Sequence, residues 1–318
     1  MVIIQLAGGL GNQMFQYALY LQFQNLHKEV KIDDVAGFVE DENRDPSLSA
    51  FGITYQKADP KEIEEMLDAS LLFWHRVRRK LFGRKRKSYF EADKRFKPEI
   101  FTWDDIYLEG YWQTEKYFEA VADQVRAAFD VDRLLMVQQA EDMAKAGRTK
   151  QQTKVQTYLR QITQTQSVSL HIRRGDYLTP ENQALFGGIC TEAYYKEAVR
   201  LMREQYPGCR FFLFTNDKEW AKERFTDDKG GRTTETALAD GEPADVIVVD
   251  LPEGSDHEEF ALMSKCKHHI LANSSFSWWA SYLNQNPGKT VLAPPKWLNG
   301  WDCQDFYRED MRKVSVTP

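Results

Sequence analysis

The pattern that most constrains this chain starts at residue 167, where short apolar segments alternate regularly with longer amphipathic ones. SVSLHI, RFFLFTND, ADVIVVD, HHILAN and TVLAPP have the length and composition of buried strands, and segments with helical spacing separate them. This alternation predicts an α/β fold in which helices cover a doubly wound parallel sheet. In such sheets, ligands bind beyond the carboxyl ends of the strands.

The first residues predict a second unit of the same kind. VIIQLA is followed by GGLGN, by a helical pattern and by the extended EVKID, which gives the order strand, glycine turn, helix, strand. With 318 residues, the chain is long enough for two domains. We therefore predict an N-terminal domain over residues 1–150 and a C-terminal domain over residues 151–318, each with a Rossmann-like arrangement.

Three polar clusters follow predicted strands of the C-terminal half, namely His171 to Asp176, Asn216 with Asp217, and Asn273 to Ser275. Because the carboxyl ends of parallel strands lie along one edge of a sheet, we expect the three clusters to meet there. The sequence therefore predicts a ligand site at this edge.

The residue types in these clusters suit a diphosphate. Arg173 and Arg174 carry fork-shaped, permanent cations that match phosphate oxygens, and NSSFSWW places hydroxyl groups at the start of a helix, where anions bind. Each feature has an ordinary alternative, a surface ion pair for the arginines and an N-cap for the serines. Their expected meeting at one edge favours the anion site. GGLGN lacks the spacing of known phosphate loops, but with the other clusters it suggests a cleft between two sheet domains.

The sequence predicts no metal site. Asp130 and Asp132 form the only DxD, which lies between two predicted helices and suits a turn and N-cap. His268 and His269 are neighbours in a strand, so they point to opposite faces and cannot bind one ion together. A metal-free diphosphate site then needs fixed cations and a helix dipole to stabilise the leaving group.

The composition limits which partners and which cellular location are expected for the protein. The net charge of −6 argues against general nucleic-acid binding, and no apolar run has the length of a membrane-spanning helix. The N-terminal residues do not resemble a signal peptide, so we expect a cytoplasmic protein with four reduced thiols. Residues 75–87 hold eight Lys or Arg and no acid, which predicts either a solvated loop or a patch that contacts the anionic inner membrane surface.

The motifs GGLGNQMFQYA, GYWQTEKYF, HIRRGDY, LFTND and FALMSKCKHHILANSSFSWWASYLN, read together, resemble those of the bacterial α-1,2-fucosyltransferases of glycosyltransferase family 11. The resemblance implies a GT-B-like α/β fold, in which two Rossmann-like domains face each other across a cleft. It implies a donor site in the C-terminal domain, an acceptor side in the N-terminal domain, and no metal or other cofactor. The implied reaction is inverting transfer of L-fucose from GDP-β-L-fucose to the 2-hydroxyl of a terminal galactoside, in O-antigen, capsule or other surface glycan synthesis, with a lipid-linked acceptor as the expectation.

The resemblance also implies residue roles. Arg173 contacts the β-phosphate and stabilises departing GDP, while Arg174 supports it. Further donor contacts are implied at Gly11, Asn12, His171, Asn216, Asp217, Glu259, Asn273, Ser274, Ser275 and Phe276. Trp112 and Gln113 are candidates for stacking and hydrogen bonding to the acceptor. Asp176 has two readings, a general base or a structural partner of an arginine.

Two departures and two alternatives remain. Glu259 stands where related sequences tend to have Asp, and Gly9 stands where the protein O-fucosyltransferases have an arginine. One alternative is a glycosyltransferase that uses another GDP-sugar, such as GDP-mannose. The other is a non-catalytic protein that binds sugar nucleotides or glycans, although Arg173, Ser275 and Asn12 speak against it because a binding protein needs no leaving-group cation.

Overall fold

The computed structural model describes residues 1–39, 44–69, 73–83, 85–136, 150–225 and 246–315. The chain forms two compact units, the first comprising Met1–Phe129 with Gln304–Phe306, and the second Asp130–Cys303 with Tyr307–Pro318. Each unit contains a sheet of parallel strands with helices around it, which confirms the predicted α/β class and the two sheets.

The division differs from the predicted boundary at 150/151, because it falls between residues 129 and 130. The Phe129 ring packs edge-on against Phe51 and Tyr17 of the first unit. Three residues later, the Asp132 carboxylate pairs with Lys265 of the second unit at 2.6 Å. The Gln- and Lys-rich segment that suggested a linker instead begins a helix of the second unit.

The first unit contains a four-stranded sheet of order β2-β1-β4-β3, in which all pairs are parallel. Its strands are β1 (Val2–Ala7), β2 (Val30–Gly37), β3 (Ser88–Phe90) and β4 (Ile106–Glu109). Its helices are α1 (Leu10–Asn25), α2 (Pro60–Met66), α3 (Phe73–Phe82) and α4 (Ala122–Ala128). Central strand β1 is almost wholly apolar because it is covered on both faces, and its Ile3 and Ile4 are fully buried.

The second unit contains a six-stranded parallel sheet of order β10-β9-β8-β5-β6-β7. The strands are β5 (Ser167–Ile172), β6 (Arg210–Thr215), β7 (Val246–Val248), β8 (His268–Ile270), β9 (Val291–Ala293) and β10 (Met311–Lys313). The helices are α5 (Lys150–Gln164), α6 (Pro180–Phe186), α7 (Glu192–Gln205), α8 (Lys218–Phe225), α9 (Asp256–Lys265) and α10 (Ser275–Leu283). Apolar residues of β5, β6 and α7 form most of a buried core on one face of the sheet.

The strand order places a topological switch at β5. The chain runs from β5 to β6 and β7 on one side, and then continues with β8, β9 and β10 on the other. Ile172 at the end of β5 pairs with Thr215 at the end of β6, and Leu170 pairs with Ile270 at the end of β8. Connections that leave β5 and β8 in opposite directions open a crevice at their carboxyl ends, which is the usual ligand site in such sheets.

Several smaller predictions can be compared with the structure. The Asp130 carboxylate accepts hydrogen bonds from the N–H groups of Asp132 and Arg133, which confirms the predicted turn and cap. His268 stacks on Tyr206 and His269 bonds to Ser169, so the two imidazoles have separate surroundings, as the strand pattern predicts. The four cysteines are thiols, and among the described helices none is long and apolar enough to cross a membrane.

Candidate functional site

The loops after β5 and β6 are joined by Arg174. Its backbone N–H donates to Asn216 Oδ1 at 2.9 Å, and its Nε donates to Asp217 Oδ2 at 3.2 Å. Gly175 follows with φ +31°, and a Cβ there would lie 2.4 Å from Asn216 Nδ2, so a residue with a side chain would disrupt the junction. The HIRRG loop and the ND pair therefore form one structure.

The loops after β5 and β8 are joined by Tyr177. Its hydroxyl donates to the Asn273 carbonyl oxygen at 2.9 Å, from a short 3-10 turn over Gly175–Leu178. Beneath this junction, Tyr195 donates to the His171 carbonyl oxygen at 3.0 Å, and Tyr194 donates to that of Leu271 at 2.6 Å. The structure thus brings the three predicted clusters together at one edge of the sheet. The sequence analysis assigned no role to these tyrosines, because a backbone contact of a tyrosine leaves no signature in the sequence.

Arg173 and His171 form the centre of this edge. The His171 ring is only 4% exposed, and burial together with the neighbouring Arg173 cation lowers the pKa of His171 to about 3. The imidazole is therefore neutral at physiological pH. Its Nδ1 is buried and has no hydrogen-bond partner among the described residues. A buried polar atom of this kind is suited to bond a ligand, because leaving it unsatisfied costs about 1–3 kcal/mol.

The start of helix α10 completes the edge. The Ser274 hydroxyl caps the helix by accepting from the Phe276 N–H at 3.3 Å, and Ser274, Ser275 and Phe276 all remain partly exposed. The Phe276 ring lies 5.9 Å from the His171 ring and 5.2 Å from the Phe260 ring. The capping alternative for Ser274 is therefore correct, and it is compatible with anion binding, since a capped helix still presents its positive dipole end.

Asn273 does not occupy the position that the sequence analysis expected. Its side chain is 2% exposed, accepts from the Cys190 thiol at 3.3 Å and donates to the Trp297 carbonyl oxygen at 3.2 Å. Both ends of the amide are thus used inside the protein. We correct its assignment from a donor contact to a structural support of the loop that precedes α10.

Glu259 forms a partly buried ion pair with Lys218. Lys218 Nζ lies 2.7 Å from Glu259 Oε1 and also donates to the Leu251 carbonyl oxygen at 2.5 Å. Burial raises the pKa of Glu259 to about 7, although the lysine lowers it. Lys218 could not be identified from the sequence, because it and Glu259 lie on separate helices, α8 and α9.

The remaining predictions on this edge concern acids and metals. The Asp176 side chain lies outside the described part of the structure, so its two readings stay open. Within the described ranges, no group of three His, Cys, Asp or Glu side chains has the arrangement of a metal site. The Arg173 guanidinium and a helix N-terminus are positive features of the described part of this edge that suit an anion.

In the first unit, two predicted residues contact each other. The Gln113 Nε2 donates to Asn12 Oδ1 at 2.6 Å, so the candidate for acceptor binding and the candidate for donor binding are neighbours. Gly8 has φ +74°, and a Cβ there would lie 2.7 Å from Asn12 Nδ2. Gly11 is buried in the first turn of α1, where its backbone continues the helix. Asn12 and Gln113 are both partly exposed.

Trp112 requires a correction. Its side chain is fully buried, and its ring packs 5.6 Å from Tyr117 and 6.1 Å from Tyr89. Trp112 has φ +55°, and the buried carboxylate of Glu91 accepts its N–H at 3.3 Å and that of Tyr111 at 2.9 Å. An enclosed ring offers no face to a sugar, so we reassign Trp112 from acceptor stacking to the core beneath the Gln113 turn. The sequence analysis also missed Glu91, which holds this turn.

The sequence model of "Glycosyl transferase family 11" matches residues 86–311, which is well over half of the chain. The chain belongs to glycosyltransferase family 11. It is therefore a glycosyltransferase, and the resemblance of its motifs to this family is confirmed.

Three relatives of this family 11 enzyme show the range of named activities. An "Alpha-1,2-colitosyltransferase" of Escherichia coli is 27% identical over 96% of this chain and 95% of its own length. The "O-antigen biosynthesis glycosyltransferase WbnK" of Escherichia coli is 27% identical over 93% of this chain and 94% of its own. A "Galactoside alpha-(1,2)-fucosyltransferase 1" of Ateles belzebuth is 25% identical over 87% of this chain and 63% of its own.

Proposed function

We propose that this family 11 glycosyltransferase transfers L-fucose from GDP-β-L-fucose to the 2-hydroxyl of a terminal galactoside, with inversion at the anomeric carbon. The proposal rests on the position of Arg173 beside His171, at one edge of the sheet. The His171 ring in turn lies near Phe276 at the start of helix α10. Support comes from the family and from the relative named as a galactoside α-(1,2)-fucosyltransferase.

In the proposed mechanism, the second unit binds the nucleotide diphosphate. Negative charge grows on GDP as its bond to the sugar breaks, and the Arg173 guanidinium and the N-terminal dipole of α10 stabilise that charge. Neutral His171 offers its buried Nδ1 to a hydrogen-bonding group of the donor. Arg174 is held by Asp217 and keeps the loop that carries Arg173 in place. We propose that these groups serve without a metal ion or other cofactor.

Glu259 is proposed to bind the nucleoside. When ionised, a carboxylate accepts hydrogen bonds from ribose hydroxyls or from the guanine N–H groups. Lys218 holds one carboxylate oxygen, Oε1, and so limits the rotation of the group. The longer Glu, in place of the Asp expected from related sequences, then reaches the nucleoside from a position fixed by Lys218.

The acceptor is proposed to contact the first unit near Gln113 and Asn12. With its Nε2 bonded to the Asn12 Oδ1, the partly exposed Gln113 amide presents its Oε1 to accept hydrogen bonds from sugar hydroxyls. We also propose that Asp176 accepts the proton of the galactoside 2-hydroxyl. We further propose that the enzyme acts in the cytoplasm on a surface-glycan precursor, with a lipid-linked galactoside as the substrate.

Transfer of colitose is the second candidate. The relative named as an α-1,2-colitosyltransferase aligns with 96% of this chain, and colitose differs from fucose by the absence of the 3-hydroxyl. The two donors share GDP and linkage, so the same diphosphate site would serve both. The choice then depends on one hydroxyl of the sugar.

A donor panel tests the proposal. GDP-fucose, GDP-colitose and GDP-mannose are compared at equal concentration by GDP release, with lactose as acceptor. We expect kcat/KM to be highest for GDP-fucose. Preference for GDP-colitose would select the second candidate, preference for GDP-mannose would overturn both, and GDP binding without release from any donor would indicate a binding protein.

A further inference from the structure

The basic segment 75–87 has a defined structure over its first part. The sequence is compatible with a solvated loop or an electrostatic patch, and the structure places Phe73–Phe82 in helix α3. Two large apolar side chains of this helix are exposed to solvent, Trp74 by 77% and Leu81 by 69%. They are seven residues apart, which is two turns, so they share one face with the partly exposed Val77 between them.

Asp68 holds another part of the helix against the protein. Its carboxylate pairs with Arg78 and Arg79, and also accepts the N–H of Lys85 at 2.9 Å. The Arg79 side chain is 14% exposed, in contrast to Trp74. The helix therefore has one side fixed to the unit and an apolar stripe directed to solvent.

The same helix and the residues just after it carry exposed cations. Arg76 and Lys80 on α3 and Lys85 just after it are exposed, and the described residues provide no acidic partner for these three. The two basic residues that follow, Arg86 and Lys87, pair with Glu109 and Asp105. The helix thus combines apolar anchors and cations, although the whole chain carries a net charge of −6.

We infer that helix α3 binds flat on the surface of an anionic lipid bilayer, with Trp74 and Leu81 inserted at the level of the headgroups. Trp is enriched at this depth, and helices that lie in the interface combine an apolar face with Lys and Arg. Nucleic acid would use the cations but would leave the Trp74–Leu81 stripe in water. A second copy of the chain, paired through α3, would bring like charges together. An anionic bilayer satisfies both features of this surface, independently of which sugar the enzyme transfers.

Flotation with vesicles tests this inference. The full chain is mixed with vesicles of phosphatidylcholine alone, or of phosphatidylcholine with phosphatidylglycerol, and the bound fraction is measured after centrifugation. We expect binding to the phosphatidylglycerol vesicles, weakened by added salt, and little binding to phosphatidylcholine alone. Equal binding to both lipids, or binding to neither, would overturn the inference.

Variants separate the apolar and the charged contributions. Trp74→Ser combined with Leu81→Ser is expected to lower partitioning by at least about tenfold, because two large apolar side chains no longer leave water. Trp301→Ser removes an exposed tryptophan of the second unit and serves as the matched control.

Arg76→Gln with Lys80→Gln should also weaken binding to the vesicles, whereas Lys61→Gln with Lys196→Gln should not. GDP release with soluble lactose should be unchanged in all four, which shows that they are folded. If a control variant lost as much vesicle binding as its test variant, membrane binding through α3 would be contradicted.

Discussion

The Arg174 guanidinium donates to the Asp217 carboxylate at 3.2 Å and lies 4.4 Å from the centre of the Trp220 ring, whereas its neighbour Arg173 lies beside the buried ring of His171. Adjacent arginines in HIRRGD therefore have different surroundings. Arg174 is engaged within the protein, joining the loops after β5 and β6. The proposed roles, leaving-group stabilisation by Arg173 and support of the loop by Arg174, can be separated experimentally.

Arg173→Ala should lower kcat by at least about a hundredfold, because a cation that stabilises departing GDP acts mainly in the transition state. Arg173→Lys should recover part of the rate, since it restores the charge without the planar fork. Steady-state kinetics with GDP-fucose and lactose measures both. Near-normal kcat in a folded Arg173→Ala enzyme would contradict the role assigned to this residue.

Arg174→Met and Asp217→Asn should have similar, smaller effects on kcat/KM, and the double variant should be little worse than either. Asn can keep the capping bond to the Trp220 N–H, so the substitution removes the charge and the acceptor that Arg174 uses while retaining the cap. Because both side chains are about one-third exposed, we expect a coupling of about 0.5–1 kcal/mol. If Arg174→Met alone were far more damaging than Asp217→Asn, Arg174 would have to contact the donor directly.

The KM for the donor should depend on pH through Glu259. Its pKa of about 7 means that the carboxylate is mostly ionised above neutral pH and mostly protonated below it. If the ionised group accepts donor hydrogen bonds, KM should rise by up to about tenfold as pH falls from about 8 to about 6. Glu259→Gln should abolish this dependence.

Lys218→Met should shift the pH dependence of the donor KM to higher pH, because Lys218 lowers the pKa of Glu259 and burial raises it. Its kcat should change less than its KM, as expected for a residue that positions a binding group. A profile unchanged in both Glu259→Gln and Lys218→Met would remove Glu259 from the donor site.

Glu91→Ala should destabilise the first unit by about 1–3 kcal/mol, because it leaves the buried N–H groups of Tyr111 and Trp112 without their acceptor. Glu65→Ala, on the exposed side of α2, is the control and should change the free energy of unfolding by less than about 0.5 kcal/mol. Urea denaturation measures both. Equal stability of the two variants would show that Glu91 does not hold the turn.

The sequence predicted the features that depend on strand order. Arg173, Asn216 and Ser274 follow three strands whose pairing the alternating pattern implies, so their meeting at one edge could be inferred without coordinates. Burial of individual side chains could not be inferred in this way. Trp112 and Asn273 lie in polar, turn-like segments that suggest exposure, yet tertiary packing encloses both.

Contacts between distant segments could not be predicted from the sequence either. The Lys218–Glu259 pair joins two helices separated by a strand, and no local pattern indicates which acid a lysine will meet. For the basic segment 75–87, the charge pattern leaves open a solvated loop or a patch that contacts a membrane surface, and the spacing of Trp74, Val77 and Leu81 is compatible with a helix. Polar composition suggests a boundary near residue 150, whereas the two compact units divide between residues 129 and 130.

The most direct test of the central claim is the structure of the product. Enzyme, GDP-fucose and lactose are incubated with EDTA, and the trisaccharide is examined by NMR. We predict one product in which fucose is α-linked to the 2-hydroxyl of galactose, formed at the same rate with and without the chelator. A different linkage, a β anomer, no trisaccharide from GDP-fucose, or a reaction that EDTA stops and Mn²⁺ restores would contradict this account.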